Sequence, residues 1–255
     1  SPWAQAELEE SERLGLVPEV LKGQDLTRTI TRAEFAAVAV RVYETLTGTA
    51  VAPAENAPFT DTDDTDVLKA YRIGVVNGTS ATTYGPDTLL DREQLAAMLT
   101  RVLKKVYLAG WSLQNDQQFA LSSGSSSVFA DDAEISRWAK DSVYFMAGNS
   151  VLGGVGGGKF APKGTAGRAT REQALVIAVR AVHSITEETI KAAVYHGPKA
   201  NFYGNVPGLR YTSSDFGVYA HHRFEGLEGD WKHASEFSYG MAAVSSVGEY
   251  DLKVE

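Results

Sequence analysis

One short phrase opens an apolar helix three times in this chain: TRAE at Thr31–Glu34, DREQ at Asp91–Gln94 and TREQ at Thr170–Gln173. Each phrase is a capping box. Thr31, Asp91 and Thr170 can accept from orphan first-turn amides, and Glu34, Gln94 and Gln173 can reach back to the cap's own N–H. Behind each box, apolar residues fall at helical spacing: Phe35, Val38, Ala39, Val42, Leu46; Leu95, Met98, Leu99, Val102, Val106; Ala174, Ile177, Ala178, Ala181, Ile185. A phrase that returns in register three times restricts the chain to repeat architectures before any other argument applies.

An arginine follows the cap in every copy: Arg32, Arg92 and Arg171. A cation there sits at the unfavourable end of the helix dipole. Its recurrence calls for a partner, either an anionic ligand or a nearby carboxylate such as Asp61 or Asp131. A second arginine recurs nine residues on, as Arg41, Arg101 and Arg180, and reads as a solvated face or a local ion pair.

Further motifs precede the boxes. Copy 3 runs Phe129-Ala-Asp131, Trp138-Ala139, Ser150–Gly154 (SVLGG) and Phe160-Ala-Pro162; copy 2 runs Phe59-Thr-Asp61, Gly74–Gly78 (GVVNG) and Tyr84-Gly-Pro86. Copy 1 has Trp3-Ala4 and Gly15–Glu19 (GLVPE), with the same twelve-residue step from tryptophan to loop as in copy 3. Phe129 to Ser150 spans 21 residues but Phe59 to Gly74 only 15, so the first helix of copy 2 is shorter, and it has no tryptophan. Each unit reads as helix, glycine-bearing loop, capped helix.

This arrangement resembles the S-layer homology (SLH) domain, usually found as three tandem copies. The resemblance covers roughly residues 1–185 and rests on the F-x-D opening, the W-A pair, the glycine loop, the aromatic-x-P turn and the box. It implies a mainly α fold, with three helix-loop-helix repeats in a pseudo-threefold bundle and grooves between neighbours. The expected divisions are repeat 1 at 1–50, repeat 2 at 51–110, a flexible insert at 111–127, repeat 3 at 128–186 and a small β-rich segment at 187–255. The resemblance also implies a non-catalytic extracellular module at a bacterial cell wall or S-layer. Its partner would be a secondary cell-wall polysaccharide bearing pyruvate ketals, whose carboxylates would meet Arg32, Arg92 and Arg171. First-turn amides would assist, the loops at Gly78 and Gly154 would let the sugar approach, and Trp3 and Trp138 either pack or offer it a ring face. The wall-attachment part of an exported carbohydrate- or wall-active enzyme, and a self-associating lattice protein, are the alternatives.

The copies differ in ways that predict unequal grooves. Copies 2 and 3 have Glu-Gln where copy 1 has Ala-Glu in the box; copy 3 has nine residues from Pro162 to Arg171 against six from Pro86 to Arg92. Copy 1 carries Pro18 in its loop and lacks the aromatic-x-P turn.

Composition removes several function classes. A net charge of −8, from 24 basic and 32 acidic residues, disfavours nucleic acid, which needs a basic face. With no cysteine, disulfides and thiolate zinc sites are impossible. No apolar run approaches the ~20 residues of a membrane span, so membrane insertion is not expected, nor is any cofactor. The chain opens on Ser1-Pro2-Trp3 without a leader pattern, as expected of a mature or trimmed chain.

Four other features carry less. Gly153–Lys159 fits the start of a phosphate loop but ends in Phe160, where Ser or Thr is required, and reads as a connecting loop. The run Asp61, Asp63, Asp64, Asp66 lacks the glycine and glutamate of a calcium loop and reads as a helix-capping turn. His221 and His222 are adjacent, so on a strand they face opposite ways and cannot readily share a metal. The tail alternates at Phe216–Phe224, Phe237–Ala243 and Tyr250–Val254, predicting strands, while Thr186 to Val194 suggests one more helical turn or two.

Overall fold

The structure is a computed structural model that describes residues 1–122 and 128–194. The chain divides into two units, Ser1–Tyr195 and His196–Glu255. The strands expected between Phe216 and Val254 lie outside the described residues.

The first unit is mainly helical. Its helices are α1 (Gln5–Arg13), α2 (Arg32–Thr47), α3 (Thr65–Arg72), α4 (Arg92–Tyr107), α5 (Lys140–Gly148), α6 (Arg171–Ser184) and α7 (Glu187–Ala193). The three boxes start α2, α4 and α6 as the sequence predicts. Glu34 N donates to Thr31 Oγ1 at 3.2 Å, and Thr31 N donates to Glu34 Oε2 at 3.0 Å. Thr170 and Gln173 repeat this exchange, and Asp91 N donates to Gln94 Oε1 at 3.0 Å.

The approaches to these helices close a ring of backbone hydrogen bonds. Ile30 N donates to Ala169 O at 2.9 Å, Ala169 N to Leu90 O at 3.0 Å, and Leu90 N to Ile30 O at 3.0 Å. Ile30, Leu90 and Ala169 hold equivalent places just before the caps and are all buried. This triad has pseudo-threefold symmetry, and each residue supplies the donor and acceptor that a buried backbone must have matched.

The helices pair across copies. A first helix does not pack on the capped helix of its own copy. Instead α3 packs on α2, α5 on α4 and α1 on α6, so every first helix covers the capped helix of the preceding copy. Copy 1 completes the ring by covering copy 3, where Arg180 meets Glu7 at 2.6 Å and His183 meets Glu10 at 2.8 Å. Double coverage explains why α2 buries Ala36, Ala37 and Val40 in addition to its predicted stripe. Among the capped helices, α2 packs along both α4 and α6; α4 and α6 are joined at their leading ends by the Ala169–Leu90 bond and an Arg168–Asp91 ion pair at 3.0 Å.

Two segments at the expected divisions are packed onto the helical unit. The insert drawn at 111–127 is pinned over its described part, 111–122. Trp111 is 3% exposed, its Nε1 donates to Asp116, and the buried Lys104 of α4 pairs with the same carboxylate at 2.8 Å. One buried ring and one buried cation outweigh the polar composition that suggested a loose loop. Residues 123–127 lie outside the described residues. The segment expected to add a helical turn forms α7, which buries Ile190, packs on α4 and carries the helical unit past residue 186.

Candidate functional site

The F-x-D aspartates build the loops that border each box. Asp131 accepts from Phe160 N at 2.7 Å and Ala161 N at 2.8 Å; Asp61 accepts from Tyr84 N and Gly85 N, both at 2.8 Å. Each carboxylate therefore folds the aromatic-x-P turn of its own copy and is not spent on a box arginine. Burial opposes ionisation of Asp131, but the two amides outweigh it and hold the carboxyl below its usual range; the amides of Tyr84 and Gly85 do the same for Asp61. The middle of the acidic run behaves as predicted, with Asp64 capping α3 through Asp66 N and Val67 N.

Folded this way, each turn presents carbonyls to the arginine of the preceding copy. Arg32 donates from Nε to Tyr84 O at 3.2 Å and from Nη2 to Asn77 O at 3.0 Å, with its guanidinium 4.7 Å from the Tyr84 ring centroid. Arg92 donates from Nε to Phe160 O at 3.0 Å and from Nη2 to Gly153 O, and lies 4.9 Å from the Phe160 ring. Neither arginine has an ion-pair partner among the described residues, and neither Nη1 has a hydrogen-bond acceptor there. Arg32 is partly exposed, whereas Arg92 is 6% exposed. Burial pulls the Arg92 pKa down, with the Asp131 charge offsetting part of that. Burial also pushes the Tyr84 phenol up to about 12, against the Arg32 charge, and its OH donates to Arg32 O at 3.1 Å.

The third arginine is held differently. Arg171 donates from Nε and Nη2 to the two oxygens of Glu34, and from Nη1 to Asp25 O at 3.0 Å.

Five of the first-turn amides expected to assist at the boxes already donate to backbone carbonyls. Arg32 N donates to Thr88 O and Ala33 N to Pro86 O; Arg171 N donates to Arg28 O and Glu172 N to Leu26 O; Glu93 N donates to Pro162 O. The incoming loop of the next copy satisfies these donors, which leaves the guanidinium groups as the free cationic groups of the boxes at Arg32 and Arg92.

Gly78 and Gly154 lie at these grooves beside Asn77 and Gly153. A Cβ at Gly78 would come within 2.5 Å of Ser80 O and Thr83 O, and one at Gly154 within 2.6 Å of Lys159 O. What glycine permits here is closure of the loop on its own backbone.

Both tryptophans stand out of the fold, Trp3 at 52% and Trp138 at 54% exposure. Their mounts are equivalent. Glu93 of α4 accepts from Ser136 N and Oγ, and Glu172 of α6 accepts from Ser1 N and Oγ. These glutamates are the third residues of boxes 2 and 3; box 1 has Ala33 there, and the copy that would be mounted on it has no tryptophan. Trp138 therefore lies two residues beyond a serine fixed to box 2, Trp3 two residues beyond one fixed to box 3, and box 1 has no such mount.

Sequence reasoning missed Arg101. Arg41 pairs with Glu44 at 3.1 Å and Arg180 with Glu7, as a surface reading predicts. Arg101 forms no ion pair among the described residues. Burial pulls its pKa down, Asp116 and Asp141 pull it up, and Arg32 is near enough to push it down. Asp116, on the insert that covers α4, was the only sequence signal, and its proximity depends on the fold.

Fold and grooves together define a class: a helical-repeat module whose candidate sites lie between copies. Residues 58–96 and 128–175 match the S-layer homology domain family. The chain is also similar to an amylopullulanase of Thermoanaerobacterium thermosulfurigenes, 27% identical over 142 residues, and to exoglucanase XynX of Acetivibrio thermocellus, 29% identical over 148 residues. Each match covers 56% of this chain but only 7% and 12% of the respective relative. Among the described residues, no helix is long and apolar enough to cross a membrane.

Proposed function

We propose that the chain is a non-catalytic anchoring module built of three S-layer homology repeats, residues 1–50 forming the first. It holds an extracellular protein to a bacterial cell wall or S-layer by binding a secondary wall polysaccharide through the grooves, with pyruvate-ketal carboxylates as the recognised charge. The observation that carries this reading is Arg32. Its guanidinium is fixed by two carbonyls and a ring, is partly exposed, and has no carboxylate partner among the described residues. A charge held this way gains from an incoming carboxylate. Arg92 offers the same geometry with less exposure, and Trp138 stands near it as a face for a sugar ring. Trp3, Gly78 and Gly154 complete the proposed lining. Weak grooves on one scaffold reinforce one another through effective concentration.

Purified wall polysaccharide, before and after mild acid removal of ketal pyruvate, tests the reading by calorimetry. Arg32→Ala should cost about 1.5–3 kcal/mol at its groove, Arg32→Lys should not restore bidentate geometry, and ketal removal should weaken the wild type. Undiminished binding by Arg32→Ala/Arg92→Ala, with the fold intact, would remove the arginines from the mechanism.

A second reading has its own support. The two relatives carry enzyme names, and this chain matches only a small part of each. A module of this kind would then be the wall-attachment part of a carbohydrate-active enzyme whose catalytic site lies elsewhere. Self-association in a surface lattice is a further role open to such a module, tested by its size at rising concentration.

A further inference from the structure

The fourth residues of the boxes are Glu34, Gln94 and Gln173. All three do one job alike: the side-chain oxygen accepts from the N–H of its own cap, at 3.0, 3.0 and 3.2 Å. Glu34 alone does a second job. Its two oxygens also take Nε and Nη2 of Arg171, from the other end of the ring, as a bidentate pair with side chains 14% and 11% exposed. By the cyclic order, Gln94 stands toward Arg32, and Gln173 toward Arg92, as Glu34 stands toward Arg171. Glutamine carries no charge and cannot neutralise a guanidinium.

The neighbouring loops explain the substitution. Arg32 and Arg92 rest on the carbonyls and aromatic rings of the Tyr84 and Phe160 turns. Copy 1 has no such turn, and its loop gives Arg171 one carbonyl, that of Asp25. The carboxylate of Glu34 supplies what the missing turn does not. The surroundings agree in sign. Where Ser1 and Leu26 meet the start of α6, a cavity of about 490 Å³ is lined by Gln5, Leu8, Glu9 and Glu12 with no lysine or arginine.

We propose that Glu34 is a specificity-determining residue that occupies Arg171 and closes its groove to carboxylates, leaving at most two anion-accepting grooves, at Arg32 and Arg92. The proposal rests on the carboxylate reading of the grooves given above. It makes the glutamate-to-glutamine difference between boxes the switch that sets how many charged sugars one chain engages.

The test is calorimetry of the full chain with a synthetic hexoside bearing a 4,6-pyruvate ketal. Glu34→Gln keeps the capping acceptor used by both sibling boxes, and its unfolding midpoint checks the fold. It should bind one more probe molecule per chain than the wild type, and Glu34→Gln/Arg171→Ala should lose that addition. In the wild-type background, Arg171→Ala should leave the number of sites unchanged and their affinities within about twofold. A site lost on Arg171→Ala alone, or none gained by Glu34→Gln, overturns the proposal. The groove reading is judged separately by wild-type binding and its loss in Arg32→Ala/Arg92→Ala. The difference between Glu34→Gln and wild type decides the role of Glu34 whichever way that result falls.

Discussion

Asp61 and Asp131 form the same two hydrogen bonds in different surroundings, so they make a matched experiment. Asp131 is 6% exposed, and its bond to Phe160 N is buried. Asp61 is exposed, with one partner amide exposed and the other only partly buried. Asp131→Ala strands two amides where water has little access. Hydrogen bonds to charged groups are each worth about 1.5–3 kcal/mol, so the expected loss is about 3–5 kcal/mol. At Asp61 water replaces much of what is removed, so a clearly smaller loss is expected there. The Phe160 carbonyl also holds Arg92, so the larger loss should loosen that groove too. Urea unfolding of the full chain, followed by tryptophan fluorescence, gives both values from midpoints at constant slope. Equal losses at the two sites, or a larger loss at Asp61, would refute the argument that burial sets the strength of these turns.

Acid should act through the same groups. The folded pKa values of Asp61, Asp131 and Asp132 lie below their usual range, and Glu10 is held down to about 2 by its hydrogen bond with Arg13. Groups with depressed folded pKa contribute stability above about pH 4 and lose it as pH falls through the folded values. Asp91, raised by burial, works in the opposite sense. Melting temperature should hold between pH 7 and 5 and drop below about 4; a decline starting well above pH 5 would point to other groups. Ser150 and Ala161 have left-handed backbones, φ 60° and 53°, where copy 2 places Gly74 and Gly85. Ser150→Gly and Ala161→Gly should each raise stability by about 0.5–1 kcal/mol, read from the unfolding midpoint. Glu93 is 4% exposed and fixes Ser136 through two bonds; Glu93→Ala should cost about 2–3 kcal/mol and speed hydrogen exchange at Ser136 and Ala139, with unchanged exchange there counting against the mount.

What could be read in the sequence is what depends on neighbours along the chain. The boxes at Thr31, Asp91 and Thr170 are closed over three residues, and the apolar stripes over eleven, so local chemistry specified them. The arginines stood out because a cation at a helix start is locally unfavourable. Their partners were not legible, since Arg171 and Glu34 are 137 residues apart and meet only when the ring closes. The same distance hid the loop carbonyls that fill the first-turn amides, and the pairing of each first helix with the preceding copy. Some differences were visible but uninterpretable: Ala33 against Glu93 and Glu172, and Glu34 against Gln94 and Gln173, gain meaning from the groups they face. Trp111 shows the opposite error, in which polar neighbours masked one residue that anchors an insert.

The hydrogen-bond ring at Ile30, Leu90 and Ala169 bears on the order in which the molecule can be made. α1 and α2 are synthesised first, yet α1 lies on α6 and Ile30 donates to Ala169. A chain drawn amino end first through a narrow pore presents α1 long before the helix it must cover, so its apolar side waits uncovered. Contacts this distant in sequence slow folding relative to other helical proteins.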